Sequence, residues 1–135
     1  MLTDITEKRV RYAETDKMGY LYYGRYATLY EIGRSELIRK VGVTYQESED
    51  VHGIIMPVMA MECRYRLPAK YDDLLQIHTY LIEMPTKLIH FTHEIYNEQN
   101  ELLNKGSVKL FFVEQKTNKR VSCPDFLAEK FAPHF

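Results

Sequence analysis

The stretch ETDKMGYLYYGRYATLYEIGRSELIRKVG, residues 14–42, decides the fold of this 135-residue chain. Beyond Tyr23, apolar residues recur at helical spacing, at Tyr26, Tyr30, Leu37 and Val41. Most polar side chains of this segment lie on its other side, so the pattern predicts a long amphipathic helix. Gly42 predicts the end of the helix, because glycine readily adopts the left-handed conformation found there. Gly33 lies within the apolar stripe and predicts close packing against another element.

The residues on either side of this helix have the composition of β-strands. Polar and apolar residues alternate over 9–12, which predicts a first strand there. Runs rich in Ile, Val, Tyr, Phe and Thr predict further strands over 54–65, 74–84, 87–97 and 102–115. Short turn sequences separate these runs, which favours antiparallel pairing. Thr44 and Glu47 have the spacing of a helix-capping box, and Pro124 with Asp125 predicts a terminal helix ending near Phe131.

One long helix followed by a run of antiparallel strands is an α+β layout. The apolar stripe of the helix needs a large partner, and the sheet is the only one available. We therefore expect a single domain over residues 1–135, with the sheet curled around one central helix. Such a sheet leaves open edges, which predicts that a second copy of the chain covers them.

Composition excludes several classes of function. The chain carries 18 Lys and Arg against 19 Asp and Glu, with the two signs interspersed, so we expect no nucleic-acid partner. No apolar run approaches the roughly 20 residues that span a bilayer, and the first ten residues do not resemble a secretory signal. Two cysteines without CxxC spacing are typical of buried thiols. We expect a cytoplasmic protein with no membrane span.

Metal sites and common nucleophile motifs are not indicated by the sequence. His90 and His93 point to opposite faces of a predicted strand, and no third ligand lies nearby, so we expect no metal. No GxSxG, SxxK or phosphate-binding glycine loop occurs, and Cys63 has no marked histidine partner. We expect no organic cofactor.

Asp16 is the strongest candidate for chemistry, and two interpretations of it are open. As a turn residue before Gly19, it would accept hydrogen bonds from nearby backbone N–H groups. As a reactive group, it lies seven residues before a helix whose start is surrounded by tyrosines. A helix N-terminus offers free N–H groups that hold a carbonyl oxygen as it gains charge, and a nearby carboxylate would activate water or attack the same carbonyl carbon.

The segment YAETDKMGYLYYGRYATLYEIGRSELIR resembles the signature of the 4-hydroxybenzoyl-CoA thioesterase-like branch of the hotdog-fold superfamily. This branch includes the short acyl-CoA thioesterases associated with the Tol-Pal envelope system. A second segment, YRLPAKYDDLLQIHT, is similar to the Pro-Ala-x-x-Asp-Asp-x-Leu-x-Ile segment of that family, and the resemblance extends through residue 124. The residues that fit the first motif are Asp16, Gly19, Tyr23, Tyr26, Glu31, Arg34 and Glu36.

The resemblance implies a five-stranded antiparallel sheet around a long helix, and dimers or tetramers with active sites at subunit interfaces. It makes Asp16 the catalytic carboxylate, as nucleophile or general base, and makes the backbone N–H of Tyr23 the group that polarises the thioester carbonyl. The candidate substrate-binding residues are Gly19, Tyr22, Arg25, Tyr26 and Lys87.

Two positions depart from the family pattern. Arg25 stands where many members have Asn, and Tyr23 stands where the envelope-associated subgroup has His, as in the subgroup acting on aromatic acyl groups. Lys87, in the bend before a predicted strand, would contact the CoA nucleotide or would be a solvated turn lysine.

The sequence therefore predicts an acyl-CoA thioesterase acting on a CoA or acyl-carrier substrate. The alternative, kept open by Arg25, is a hotdog module that binds acyl-CoA or an acyl carrier without hydrolysing it.

Overall fold

The computed structural model covers residues 1–135. Its elements in chain order are β1 (Leu2–Arg9), 3-10 turns at Tyr12–Glu14 and Tyr23–Arg25, α1 (Tyr26–Lys40), α2 (Tyr45–Asp50), β2 (Ile54–Ile55), β3 (Val58–Tyr65), β4 (Leu74–Leu81), β5 (Leu88–Tyr96), β6 (Leu102–Glu114), β7 (Lys119–Val121), α3 (Asp125–Phe131) and a 3-10 turn at Ala132–His134. None of the helices is both long and apolar enough to cross a bilayer.

Five antiparallel strands form the main sheet, in the order β1-β4-β5-β6-β3. The 13-residue strand β6 extends beyond its neighbours, and its far end also pairs with the short strands β2 and β7. This arrangement confirms the predicted α+β layout, a five-stranded antiparallel sheet wrapped around one long helix. Strand β7 is an addition to that prediction, whereas β2 lies within the predicted run 54–65.

Helix α1 packs across the inner face of the sheet. Its buried residues are Tyr26, Leu29, Tyr30, Gly33, Arg34, Leu37 and Ile38. They recur every three or four residues, as the stripe predicted. Gly33 makes the closest approach: a Cβ there would overlap Oγ1 of Thr79 and lie 2.8 Å from Cγ2 of Ile77. The prediction that Gly33 permits close packing is confirmed.

The first strand lies at residues 2–9, so the prediction of a strand at 9–12 is wrong. Glu14 Oε1 accepts a hydrogen bond from Arg11 N at 2.8 Å, and this contact folds the predicted strand into a 3-10 turn. The true strand escaped detection because its inward-facing positions after Leu2 are polar. These polar positions lie at the edge of the sheet. There, Oδ1 of Asp4 lies 3.4 Å from Nζ of Lys40 in α1.

The other boundaries differ from the predictions by a few residues. Residues 54–65 divide into β2 and β3 around Pro57, which has no N–H to donate. Helix α1 begins at Tyr26 because residues 23–25 form a 3-10 turn. The Thr44 hydroxyl caps α2 by accepting from Glu47 N at 3.1 Å, as predicted, and α3 ends at Phe131, as predicted.

Buried polar side chains occupy the interface between α1 and the sheet. His93 is fully buried; its ring stacks on Tyr30 at a centroid distance of 4.7 Å, and its Nδ1 lies 3.1 Å from Oγ1 of Thr79. Burial, reinforced by the positive charge of Arg34, lowers the pKa of His93 to about 3. His93 is therefore a neutral packing residue at physiological pH, while His90 is exposed on the other face of β5.

Candidate active site

Asp16 folds the loop that precedes α1. Its Oδ1 accepts hydrogen bonds from Met18 N at 2.8 Å and Tyr20 N at 3.2 Å, and its carbonyl accepts from Gly19 N at 3.0 Å. Gly19 has a φ of +77°, a left-handed conformation that side chains other than hydrogen disfavour. One carboxylate oxygen of Asp16, Oδ1, therefore has the role that the turn interpretation predicted. The other, Oδ2, has no hydrogen-bond partner in the chain, and the side chain is exposed.

The loop between β3 and β4 holds the Asp16 loop in place. Leu21 N donates to Ala69 O at 2.8 Å, and Tyr71 N donates to Gly19 O at 2.9 Å. The holding loop is itself a tight turn, in which Asp73 Oδ2 accepts from the Lys70 backbone at 2.9 Å. The two segments that resemble family motifs are therefore joined through backbone hydrogen bonds.

The start of α1 presents free backbone donors. In the 3-10 turn, Arg25 N donates to Tyr22 O at 2.9 Å, and Tyr26 N donates to Tyr23 O. The N–H groups of Tyr23 and Gly24 donate to no group in the chain. Two adjacent unsatisfied N–H groups at a helix start carry partial positive charge and suit an oxygen that gains negative charge.

Asp16 and the start of the helix open onto one cavity of about 340 Å³. Its walls are mostly aromatic and aliphatic, with the Asp16 side chain as the only acidic group. The lining residues are Asp16, Tyr20, Leu21, Tyr23, Tyr26, Tyr65, Arg66, Leu67 and Pro68. The cavity joins a carboxylate, the residue Tyr23 with its free amide donor, and an apolar wall, the components needed to bind and attack an acyl group. Gly24 follows Tyr23 in the chain but is not one of the lining residues.

The structure places three other candidate binding residues in or beside this cavity. Tyr26 is 3% exposed and forms its inner wall, and burial raises the pKa of its phenol. Tyr22 lies outside the lining, but its ring packs against that of Tyr23 at a tilt of 47°, with ring centroids 4.7 Å apart. Gly19 shapes the turn that carries Asp16 and does not line the cavity.

Arg25 points away from the cavity toward the preceding loop. Its guanidinium donates to the carbonyl of Ala13 at 3.3 Å. Burial of the neighbouring Glu14 would raise the pKa of that carboxyl, but hydrogen bonds from Lys8 and Arg11, with the charges of Lys8 and Arg25, lower it. In this chain Arg25 braces the loop between β1 and α1.

Lys87 is exposed in the turn between β4 and β5, at the opposite end of these strands from the cavity. The length of β5 separates them, roughly 26 Å at about 3.3 Å per residue. One chain does not bring Lys87 to the candidate site.

Sequence reasoning did not identify Tyr65, which lies in the cavity wall. The Tyr65 hydroxyl donates to the carbonyl of Tyr23 at 3.2 Å, and its ring meets that of Tyr26 edge-on at 5.2 Å. Cys63 and Tyr65 are two residues apart on β3, so their side chains lie on the same face of the strand, the face toward α1. This spacing could have identified Tyr65 only if the face covered by the helix had been known.

Comparisons with known proteins identify relatives of this chain. The family model described as the thioesterase-like superfamily matches residues 10–131. The acyl-CoA thioester hydrolase YbgC of Escherichia coli is 31% identical over 123 residues, which cover 91% of each chain.

Two solved structures share the fold. The DHNA-CoA thioesterase of Staphylococcus aureus superposes with a TM-score of 0.91 at 34% identity, covering 99% of this chain and 91% of the other. A 4-hydroxybenzoyl-CoA thioesterase mutant, solved with 4-hydroxybenzoyl-CoA, superposes with a TM-score of 0.86, covering 96% and 99%. At 17% identity, the second likeness shows the shared hotdog architecture alone.

Proposed function

This chain belongs to the thioesterase-like superfamily, and from that premise we propose that it is an acyl-CoA thioesterase. The reaction is hydrolysis of the thioester bond, which yields a free acid and a thiol. The observation that carries the proposal is the shared cavity, which is lined by Asp16, whose Oδ2 is free, by Tyr23, whose N–H has no partner, and by an apolar wall.

In the general-base route, Asp16 takes a proton from a water molecule, and the water oxygen adds to the thioester carbon. The carbonyl oxygen becomes negatively charged and accepts hydrogen bonds from Tyr23 N–H and Gly24 N–H. As the tetrahedral intermediate collapses, the C–S bond breaks and the leaving thiolate takes up the proton. In the nucleophilic route, Asp16 itself adds to the carbon, the C–S bond breaks as the thiolate leaves, and water then cleaves the resulting anhydride. Both routes use the same groups.

Isotope labelling tests for the nucleophilic route. A single turnover in water enriched in oxygen-18 leaves the carboxylate of Asp16 unlabelled in the general-base route. In the nucleophilic route, water attack at the Asp16 carbonyl of the anhydride places one labelled oxygen in Asp16, whereas attack at the acyl carbonyl places it in the product acid. Label in the peptide that contains Asp16 therefore identifies the nucleophilic route. Mass spectrometry of that peptide measures the oxygen-18 content of Asp16.

The apolar wall is the proposed contact surface for the acyl group. Tyr26 and Tyr65 present ring edges and faces there, which suits apolar and aromatic acyl groups. The relative from Staphylococcus aureus is named for a DHNA-CoA substrate, and aromatic acyl-CoAs therefore belong in any test. Tyr22, Gly19 and Arg25 would support the loop and the wall, while CoA and an acyl carrier protein are both candidate carriers.

The test of function is thiol release from a panel of short, long and aromatic acyl-CoAs, with one acyl-carrier thioester included. We expect turnover of at least one class, with the aromatic and longer acyl groups favoured over acetyl. Tight binding of these thioesters without turnover of any of them would contradict the enzyme assignment. It would instead support the alternative, a module that binds acyl-CoA or an acyl carrier.

We also propose that the functional unit is a homodimer or a homotetramer. Strand β3 pairs on one side only, with β6, and nearly all its residues are exposed. Lys87 lies far from the cavity of its own chain, so a contact with substrate requires the cavity of a second copy. Light scattering at micromolar concentration should detect no stable monomer, and a fully active monomer would contradict this proposal.

Three further expectations from the sequence stay predictions. They are the single-domain organisation over residues 1–135, the cytoplasmic location and the association with the Tol-Pal system.

A further inference from the structure

We propose that Tyr65 is a positioning residue, whose hydroxyl orients the peptide unit that joins Tyr23 to Gly24 beside the cavity and so fixes the direction in which the Gly24 N–H donates. This inference rests on the proposed thioesterase function. It assigns to a residue of β3 a role in charge stabilisation at the start of α1, more than 40 residues earlier in the chain.

The geometry of one peptide unit carries the argument. A trans peptide is planar, and its C=O and N–H point in opposite directions, so fixing one fixes the other. The Tyr23 carbonyl accepts two hydrogen bonds, from Tyr26 N in the helix and from the Tyr65 hydroxyl at 3.2 Å. With both lone pairs of the carbonyl occupied, the Gly24 N–H at the other side of the unit is held in one direction and is free to donate.

A hydrogen bond to the carbonyl also strengthens the donor at the other end of the same peptide. Each bond in a chain of hydrogen bonds polarises the next, so the Tyr65 contact makes the Gly24 N–H a better donor. The glycine matters as well, because a Cβ at Gly24 would lie 2.8 Å from the ring of Tyr22. The ring of Tyr22 thus lies close to the Cα of Gly24, and the hydroxyl of Tyr65 contacts the Tyr23 carbonyl of the same peptide unit.

Tyr65 is suited to remain a donor. The neighbouring thiol of Cys63 and partial burial raise the pKa of Tyr65 to about 12, so the phenol keeps its proton at neutral pH. Its ring packs edge-on against Tyr26 at 5.2 Å and Tyr23 at 6.5 Å, which limits the directions the hydroxyl can take.

The test is Tyr65→Phe, which removes the hydroxyl and keeps the ring. Removing an oxyanion donor outright typically lowers kcat by 10²–10³, and disturbing its orientation should lower kcat by about tenfold. KM should stay within about twofold, because the ring still lines the cavity. Tyr71→Phe is the matched control: Tyr71 is 53% exposed against 54% for Tyr65, and it does not line the cavity.

A second readout separates positioning from general damage. In an Asp16→Asn background, a bound thioester labelled with carbon-13 at its carbonyl should show a carbonyl stretch shifted to lower frequency. Adding Tyr65→Phe should reduce that shift, while adding Tyr71→Phe should leave it unchanged.

Either of two results would overturn the inference: a kcat for Tyr65→Phe within twofold of wild type, or a full carbonyl shift in the double variant. Failure of the proposed function would look different. In that case the wild-type chain releases no thiol, or Asp16→Asn retains full turnover, and the carbonyl shift still reports whether Tyr65 acts on the bound thioester.

Discussion

Replacing Asp16 by Asn and by Ala separates its two tasks, because the two oxygens of its carboxylate have different surroundings. Oδ1 accepts hydrogen bonds from Met18 N and Tyr20 N at 2.8 and 3.2 Å, and Oδ2 has no partner. Asn keeps an oxygen in the turn and removes the negative charge. Ala removes both. The two variants should therefore lose the same chemistry and differ in stability.

The expected magnitudes follow from these contacts. Loss of a general base lowers kcat by about 10²-fold or more, which raises the barrier by about 2.7 kcal/mol. Asp16→Ala also loses two turn hydrogen bonds at an exposed site, together worth about 1–2 kcal/mol. For a chain of this size, that loss lowers Tm by about 3–8 °C, while Asp16→Asn should stay within about 2 °C of wild type.

The assay is steady-state thiol release, combined with thermal unfolding of every variant. Asp72→Asn is the control, because Asp72 is another exposed acidic residue of a tight turn, with a φ of +69°, and lies outside the cavity. It should retain wild-type kcat. If folded Asp16→Asn keeps a kcat within twofold of wild type, Asp16 is a turn residue only, and the reasoning from its free oxygen is refuted.

Three other predictions concern the helix and its contacts. Tyr23→Phe should retain most of its kcat, while Tyr23→Pro should lose about 10²-fold because it deletes the backbone N–H, with thermal unfolding to confirm that it folds. Gly33→Ala should lower the free energy of unfolding by about 1–2 kcal/mol, because the added Cβ overlaps Thr79. Adding Thr79→Ala to the same chain should recover part of this loss, as measured by urea titration. Between about pH 6.5 and 3 the unfolded chain binds one more proton than the folded chain at His93, so wild-type stability should fall as pH falls through that window. His93→Gln should remove about 2–3 kcal/mol of the loss between pH 7 and 4.5, and equal pH dependence in both proteins would contradict the buried neutral state.

The main elements of the fold could be predicted because burial leaves a periodic pattern in the sequence. The stripe through Tyr30 and Leu37 identified α1, and β-branched and aromatic runs identified four strands. Strand β1 could not be found in this way, since its inward positions at the sheet edge are polar, as the pair of Asp4 with Lys40 illustrates. Strand β7 has only three residues, too few for a pattern.

The candidate site was predictable only where one segment carries it. Asp16 and Tyr23 lie seven residues apart, and a single loop brings them to the same cavity. Tyr65 and Pro68 reach that cavity through strand pairing, so local sequence could not place them beside Tyr23. Arg25 illustrates the opposite error, because its position in the motif suggested a substrate contact, whereas its side chain reaches back to Ala13.

The position of β6 has a consequence for synthesis of the chain. Strand β6 pairs with β2, β3, β5 and β7, and β3 has no other partner in the sheet. A ribosome that adds about 5–20 residues per second finishes β3 several seconds before the β6 residues that pair with it. Until β6 is free to pair, β3 remains an unpaired, largely apolar segment. The nascent chain should therefore depend most on chaperones between the emergence of β3 and the emergence of β6 from the ribosome, and slow codons that lengthen this interval should increase aggregation.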